Sequence, residues 1–152
     1  LHRLIGDEAF FEALRRLVYG RPDPRPGNFE PVLRDTVEFN TIVNQVTGQD
    51  YDWFFDAYLY RAALPVLNQS RQGDRLILSW DAGDGDFAMP LDIEIDGDVQ
   101  TVAMTGGRGE IRVPSGATVL IDPLNKVLRQ SDQIDDLQAY QRAQRVRRAS
   151  GG

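Results

Sequence analysis

"PLDIEIDGDVQTVAMT", residues 90–105, carries the clearest structural signal in the chain. Leu91, Ile93 and Ile95 alternate with Asp92, Glu94 and Asp96. That period of two is a strand with one dry face and one wet face. Asp96-Gly97 is a tight-turn pair, and "VQTVAMT" (99–105) reads as the return strand. Upstream, "DRLILSWD" (74–81) sets Leu76, Leu78 and Trp80 against Arg75, Ile77 and Ser79. Downstream, Gly106-Gly107 turns the chain into "GEIRVP" (109–114), and "ATVLID" (117–122) is a further short strand. A first strand in "LPVLNQS" (64–70) brings the number to about six. Short strands broken by glycine-rich turns predict a small antiparallel β-sandwich.

Before residue 64 the period is helical. "GDEAFFEALRRLVYG" (6–20) predicts a helix capped by Asp7, with the stripe Phe10, Leu14, Leu17 and Val18, closed by Gly20. Pro22, Pro24, Pro26 and Pro31 then enforce an extended loop. "DTVEFNTIVNQVTG" (35–48) predicts a second helix, with a capping box from Asp35 and Glu38 and an apolar face of Phe39, Ile42, Val43 and Val46. Gly48 suits the left-handed position after it. A third helix is expected from Tyr51 to about Arg61, capped by Asp50. It holds six of the fourteen aromatics: Tyr51, Trp53, Phe54, Phe55, Tyr58 and Tyr60. Only Asp52 and Asp56 interrupt its apolar surface, so it needs cover on nearly all sides. The last segment, "DQIDDLQAYQRAQRVRRAS" (132–150), has only Ile134, Leu137 and Tyr140 as a stripe and predicts a surface helix or tail. The expected class is α+β. Residues 1–63 form the helical segment, 64–128 the sandwich and 129–152 a C-terminal helix or tail.

Net charge is −6, divided as −8 over residues 1–128 and +2 over 129–152. An acidic body argues against nucleic acid as partner. No apolar run is long enough for a membrane span. There is no cysteine and one histidine, His2. A zinc site draws on two or three imidazoles or thiolates, so His2 reads as a solvated helix residue. Asp81, Asp84 and Asp86 in "DAGDGD" miss the spacing of a calcium loop and suit a turn. Asn68-Gln69-Ser70 matches the glycosylation triplet, which matters only in a secreted protein. Gly106-Gly107-Arg108-Gly109 joins two strands, whereas a phosphate cradle leads into a helix. Arg142, Arg145, Arg147 and Arg148 read as a solvated face. No catalytic, cofactor-binding or metal-ligating residue is assigned.

Several stretches in order resemble one family, the aminopeptidase N-type zinc metallopeptidases of the gluzincin branch. "GDEAFFEALRRLV" (6–18) and "TVEFNTIVNQVTGQDYDWFFDAYLYRAALPVL" (36–67) resemble the segments that close their thermolysin-like catalytic domain. "FAMPLDIEI" (87–95) and "ATVLIDPLNKVL" (117–128) resemble the β-sandwich that comes after it. Tyr58 stands where the family usually has tryptophan, and Ala63 where it usually has glycine. The family's HExxH motif, glutamate ligand, glycine-rich motif and tyrosine have no counterpart in this chain.

The resemblance therefore implies a non-catalytic C-terminal piece of a zinc aminopeptidase. Zinc and peptide substrate would belong to the parent, and the main partner would be the upstream catalytic domain. Leu1 in place of methionine, with Leu4 and Ile5 at helical spacing, carries the same expectation. Trp53, Phe54, Phe55 and Tyr58 would be junction residues. An apolar patch including Phe10, Leu14 and Leu17 is expected to lack cover and to permit a homodimer. A zinc-less peptidase-like scaffold and a free-standing sandwich module are the alternatives.

Overall fold

The computed structural model describes residues 1–150 except residues 22, 29–32, 84 and 85, and of residues 146–150 the backbone alone. Pro22, Pro31 and Asp84 thus lie outside the described residues. Described are α1 (His2–Tyr19), α2 (Thr36–Thr47), α3 (Asp52–Phe55), a π-helical turn (Asp56–Tyr60), six strands and α4 (Asp132–Ser150). The class is α+β, as the alternating periods imply. The chain divides into two units, Leu1–Asp56 and Ala57–Gly152, so the division falls inside the aromatic segment and ahead of the 63/64 boundary read from the sequence.

In the first unit, α1 is interrupted at Gly6, whose φ of 80° and ψ of 168° are open to a residue without Cβ. Asp7 does not cap the helix; its carboxylate meets His2 Nε2 at 2.7 Å. The stripe on α1 is also rotated from the expected one. Ala13 is fully buried and packs with Leu1, Leu4, Ile5 and Leu17, whereas Val18 is 54% exposed. Ile42 and Val43 of α2 pack in the same cluster as Ala13. On α2 the expected face is correct: Ile42 and Val43 are buried, with Phe39 and Val46 beside them. Asp35 and Glu38 form the full capping box, and Gly48 has φ 67°.

Polar groups tie α3 to α2. Asn40 and Asn44 each donate to the same Asp52 oxygen, at 2.7 and 2.8 Å, and Asn44 Oδ1 accepts the Tyr51 N–H at 2.8 Å. Asp50 accepts the Asp52 N–H at 2.8 Å, so it ends the loop while Tyr51 holds the cap position. The expected single helix from Tyr51 to Arg61 is in fact one α-turn followed by the π-helical turn. Tyr51 and Phe55 are buried with the α1–α2 core, while Leu59 and Tyr60 are more than half exposed.

In the second unit, β1 (Val66–Gln72), β2 (Arg75–Asp81) and β5 (Arg108–Arg112) form one antiparallel sheet in the order β1-β2-β5. β4 (Asp98–Val102), β3 (Leu91–Ile95) and β6 (Val119–Ile121) form the other, in the order β4-β3-β6. One core joins Leu76 and Leu78 from the first sheet to Leu91, Ile93, Ile95 and Val102 from the second. The register on β3 agrees with the sequence pattern: Leu91 and Ile93 are fully buried, with Ile93 opposite Gln100 and Ile121. Asp92 is on the opposite face, but it is less wet than expected. Its side chain is 16% exposed, held by Thr101 Oγ1 at 2.7 Å and Lys126 Nζ at 2.5 Å. Trp80 is half-buried and donates through Nε1 to Met89 O at 2.8 Å.

Asp96 (φ 52°) and Gly97 (φ 96°) make the expected turn. Gly109 on β5 is required by proximity, because a Cβ there would meet Ala103 O, Met104 Sδ and Val102 Cγ1, each at 2.7 Å.

Ile93→Ala should lower stability by roughly 2–5 kcal/mol in urea unfolding, the cost of emptying a filled core site. Glu94→Ala, on the other face, should stay within about 0.5 kcal/mol of the parent. Gly109→Ala should cost about 1–3 kcal/mol, because backbone and not only a flexible side chain must yield.

Candidate functional site

The most developed polar arrangement lies just beyond β6. Asp122, the one buried charged or polar residue among those described, is 2% exposed. A carboxylate is tolerated there only if hydrogen-bonded. Its Oδ1 accepts the Lys126 N–H at 2.8 Å and its Oδ2 the Val127 N–H at 3.0 Å. Its own N–H donates to Asp92 O at 2.7 Å, and its carbonyl accepts the Asn125 N–H at 2.9 Å. Asp122 and Asn125 both have positive φ, 50° and 48°. The loop "DPLNKV" is thus wound around one carboxylate. Lys126, placed by this loop, reaches Asp92 on β3.

Tyr58 lies beside this loop. Its hydroxyl donates to Leu128 O at 2.8 Å, and its ring meets Phe87 edge-on at 5.7 Å. Phe87 in turn meets Trp80 at 5.1 Å. Burial, helped by the negative charge of Asp122, pushes the Tyr58 phenol up to about 12. The phenol is therefore a hydrogen-bond donor at every ordinary pH. Both Asp122 oxygens are committed to main-chain N–H groups. This arrangement positions a loop, and its described residues include no paired acid and base over a substrate space.

The residues singled out from the sequence are scattered. His2 is stacked on Phe10 at 4.4 Å and bonded to Asp7. Asp81 and Asp86 are exposed, and Asp84 is outside the described residues. Asn68 and Ser70 are exposed on β1, paired with Ser79 and Ile77. Gly107 is stitched into the sheet: its carbonyl accepts the Trp80 N–H at 2.8 Å, so the glycine run is a turn and not a cradle. Arg142 and Arg145 are exposed on α4, and the side chains of Arg147 and Arg148 are outside the described set. Among the described residues, no group of three or more histidine, cysteine, aspartate or glutamate side chains is placed to hold a metal ion.

A groove of about 480 Å³ separates the edge strands β1 and β6. Leu76, Val113 and Ile121 line it with Gln69, Ser70 and Arg71. Arg71 spends its guanidinium on the carbonyls of Gly73, Val113 and Pro114.

The burial of Asp122 is not legible in the sequence, where Asp122-Pro123 simply ends an alternating strand. An aspartate before a loop normally reads as a solvated turn residue. Only the positions of Lys126 and Val127 reveal the reason for its burial.

Comparison with protein-family models and with curated proteins gave no match.

Asp122→Asn should destabilise by about 1–3 kcal/mol, because the amide nitrogen would face a backbone N–H it cannot accept from. Alkaline unfolding gives a second check. The Tyr58 phenol is harder to ionise folded than unfolded, so its contribution is full below the ordinary tyrosine range near 10. That contribution is lost as pH rises through about 12. Tyr58→Phe should flatten this part of a stability-against-pH curve.

Proposed function

We propose that this chain is the non-catalytic C-terminal part of an aminopeptidase N-type zinc peptidase, supporting and orienting a catalytic domain encoded upstream. The ordered likeness of residues 6–18, 36–67, 87–95 and 117–128 to that family supports the reading. The observation that carries it is the half-covered helix α1. Its apolar arc runs from Ala13 and Leu17 through Phe10 and Leu14 to Val18 and Phe11. α2 takes the first part. Phe11 at 50% and Val18 at 54% exposure remain on the other. A contiguous exposed apolar patch, not a single exposed side chain, is what marks an interaction surface, and Phe11 and Val18 adjoin at one helix edge. In this reading that edge meets the upstream domain.

The zinc of such a parent does not fit the residues present. His2 is the sole imidazole, and it is engaged with Asp7 and Phe10. No step of peptide hydrolysis is assigned to this chain.

The test is the coding sequence upstream of Leu1. An HExxH motif with a glutamate downstream of it supports the peptidase reading, and a catalytic-domain sequence lacking both overturns it in favour of a scaffold. The isolated chain should hydrolyse no aminoacyl reporter and retain no stoichiometric zinc by elemental analysis. Light scattering should reveal concentration-dependent self-association through α1. Phe11→Glu combined with Val18→Glu should abolish that association while leaving the melting temperature of the fold nearly unchanged, since both side chains are already half in water.

A further inference from the structure

We infer that Tyr58 is a latch that couples the π-helical turn to the root of α4, giving that helix a fixed direction as it leaves the sandwich. Three contacts within the second unit carry this. The Tyr58 hydroxyl donates to Leu128 O at 2.8 Å. Two residues on, the Gln130 N–H donates to Pro65 O at 2.9 Å, joining the exit of the loop to the residue just before β1. The Gln130 side chain then donates to Asp135 Oδ1 at 2.5 Å, on the first turn of α4. The chain entering the sandwich and the chain leaving it are thus gripped together, and the grip reaches into the helix.

The described side chains of α4 supply little direction of their own. The apolar ones are sparse, and Leu137 and Tyr140 are 55% and 63% exposed. A helix whose stripe is this thin gains little from packing, so the geometry of its first turn decides its course. Ser131 O accepts the N–H groups of Ile134 and Asp135, at 2.9 and 3.0 Å, so α4 is nucleated directly after the gripped residues. Pro65 helps from the other side. It is nearly fully buried, and its carbonyl accepts the Gln130 N–H. The donor side of the latch is constant, because the phenol keeps its proton far above neutral pH. Tyr58 is a positioning residue in this inference. The loop it touches is already held internally by Asp122, so the latch acts on the chain from Leu128 onward and not on the loop itself.

Amide hydrogen exchange on the intact chain tests it. In Tyr58→Phe, which keeps the ring against Phe87 and removes only the hydroxyl, the amides of Gln130, Ile134 and Asp135 should exchange at least tenfold faster. Those of Lys126 and Val127, held by Asp122, and those of β3 should change less than twofold. Gln130→Ala should accelerate Ile134 and Asp135 in the same way with Tyr58 intact. Unchanged exchange at Gln130, Ile134 and Asp135 in Tyr58→Phe would overturn the latch. Uniform acceleration that includes β3 would overturn it too, since Tyr58 would then be an ordinary contributor to the stability of the whole unit.

Discussion

The second unit depends on the burial of β3 between neighbours on both sides. Leu91, Ile93 and Ile95 enter a core to which both sheets contribute, and their period of two excludes a one-residue slip. A slip of one residue would place Asp92 and Glu94 inside and three large apolar side chains in water. Once β3 is fixed, β4 returns from the Asp96-Gly97 turn on one side, and β6 is received on the other. There the Asp96 backbone N–H donates to Thr118 O and its carboxylate accepts the Thr118 N–H. The turn that ends one strand pair thus begins the next.

The same strand organises the polar side of the unit. Asp92 O receives the Asp122 N–H and the Asp92 carboxylate receives Thr101 and Lys126, so the wet face of β3 is covered by a loop wound around a buried carboxylate. From that loop the chain passes Tyr58 and Pro65 before entering α4. The path from core strand to helix direction is a series of short hydrogen bonds, and those that Asp122 accepts satisfy a carboxylate that burial would otherwise leave costly.

The helical unit obeys a different logic. Ala13, not one of the phenylalanines of α1, is the fully buried residue that packs with Ile42 and Val43 of α2. The aromatic segment does not form the single wrapped helix its composition suggests. Tyr51 and Phe55 complete the α1–α2 core, while Tyr58 belongs to the ring cluster with Phe87 and Trp80. The Asn40, Asn44 and Asp52 hydrogen bonds fix where the α-turn begins, and π geometry follows from Asp56.

The α+β class, the order of the elements, the capping box of α2, the Asp96-Gly97 turn and the dry face of β3 are all legible in the amino-acid sequence. They are local, written in periods of two and 3.6 and in residues whose backbone preferences act at their own positions. The fold had to settle which edge of α1 is covered, where the aromatic segment changes geometry, and that Asp122 is buried while the Asp92 side chain is mostly sheltered. Each of these depends on groups beyond the residue's own position, on how a loop winds, or on a choice among equivalent faces. Phe10 and Leu14 satisfy a helical stripe as well as Ala13 and Leu17 do, and only the neighbouring helix selects between them. An aspartate after a strand looks solvated until the N–H groups of Lys126 and Val127, four and five residues on, are brought back to it by the winding of the loop.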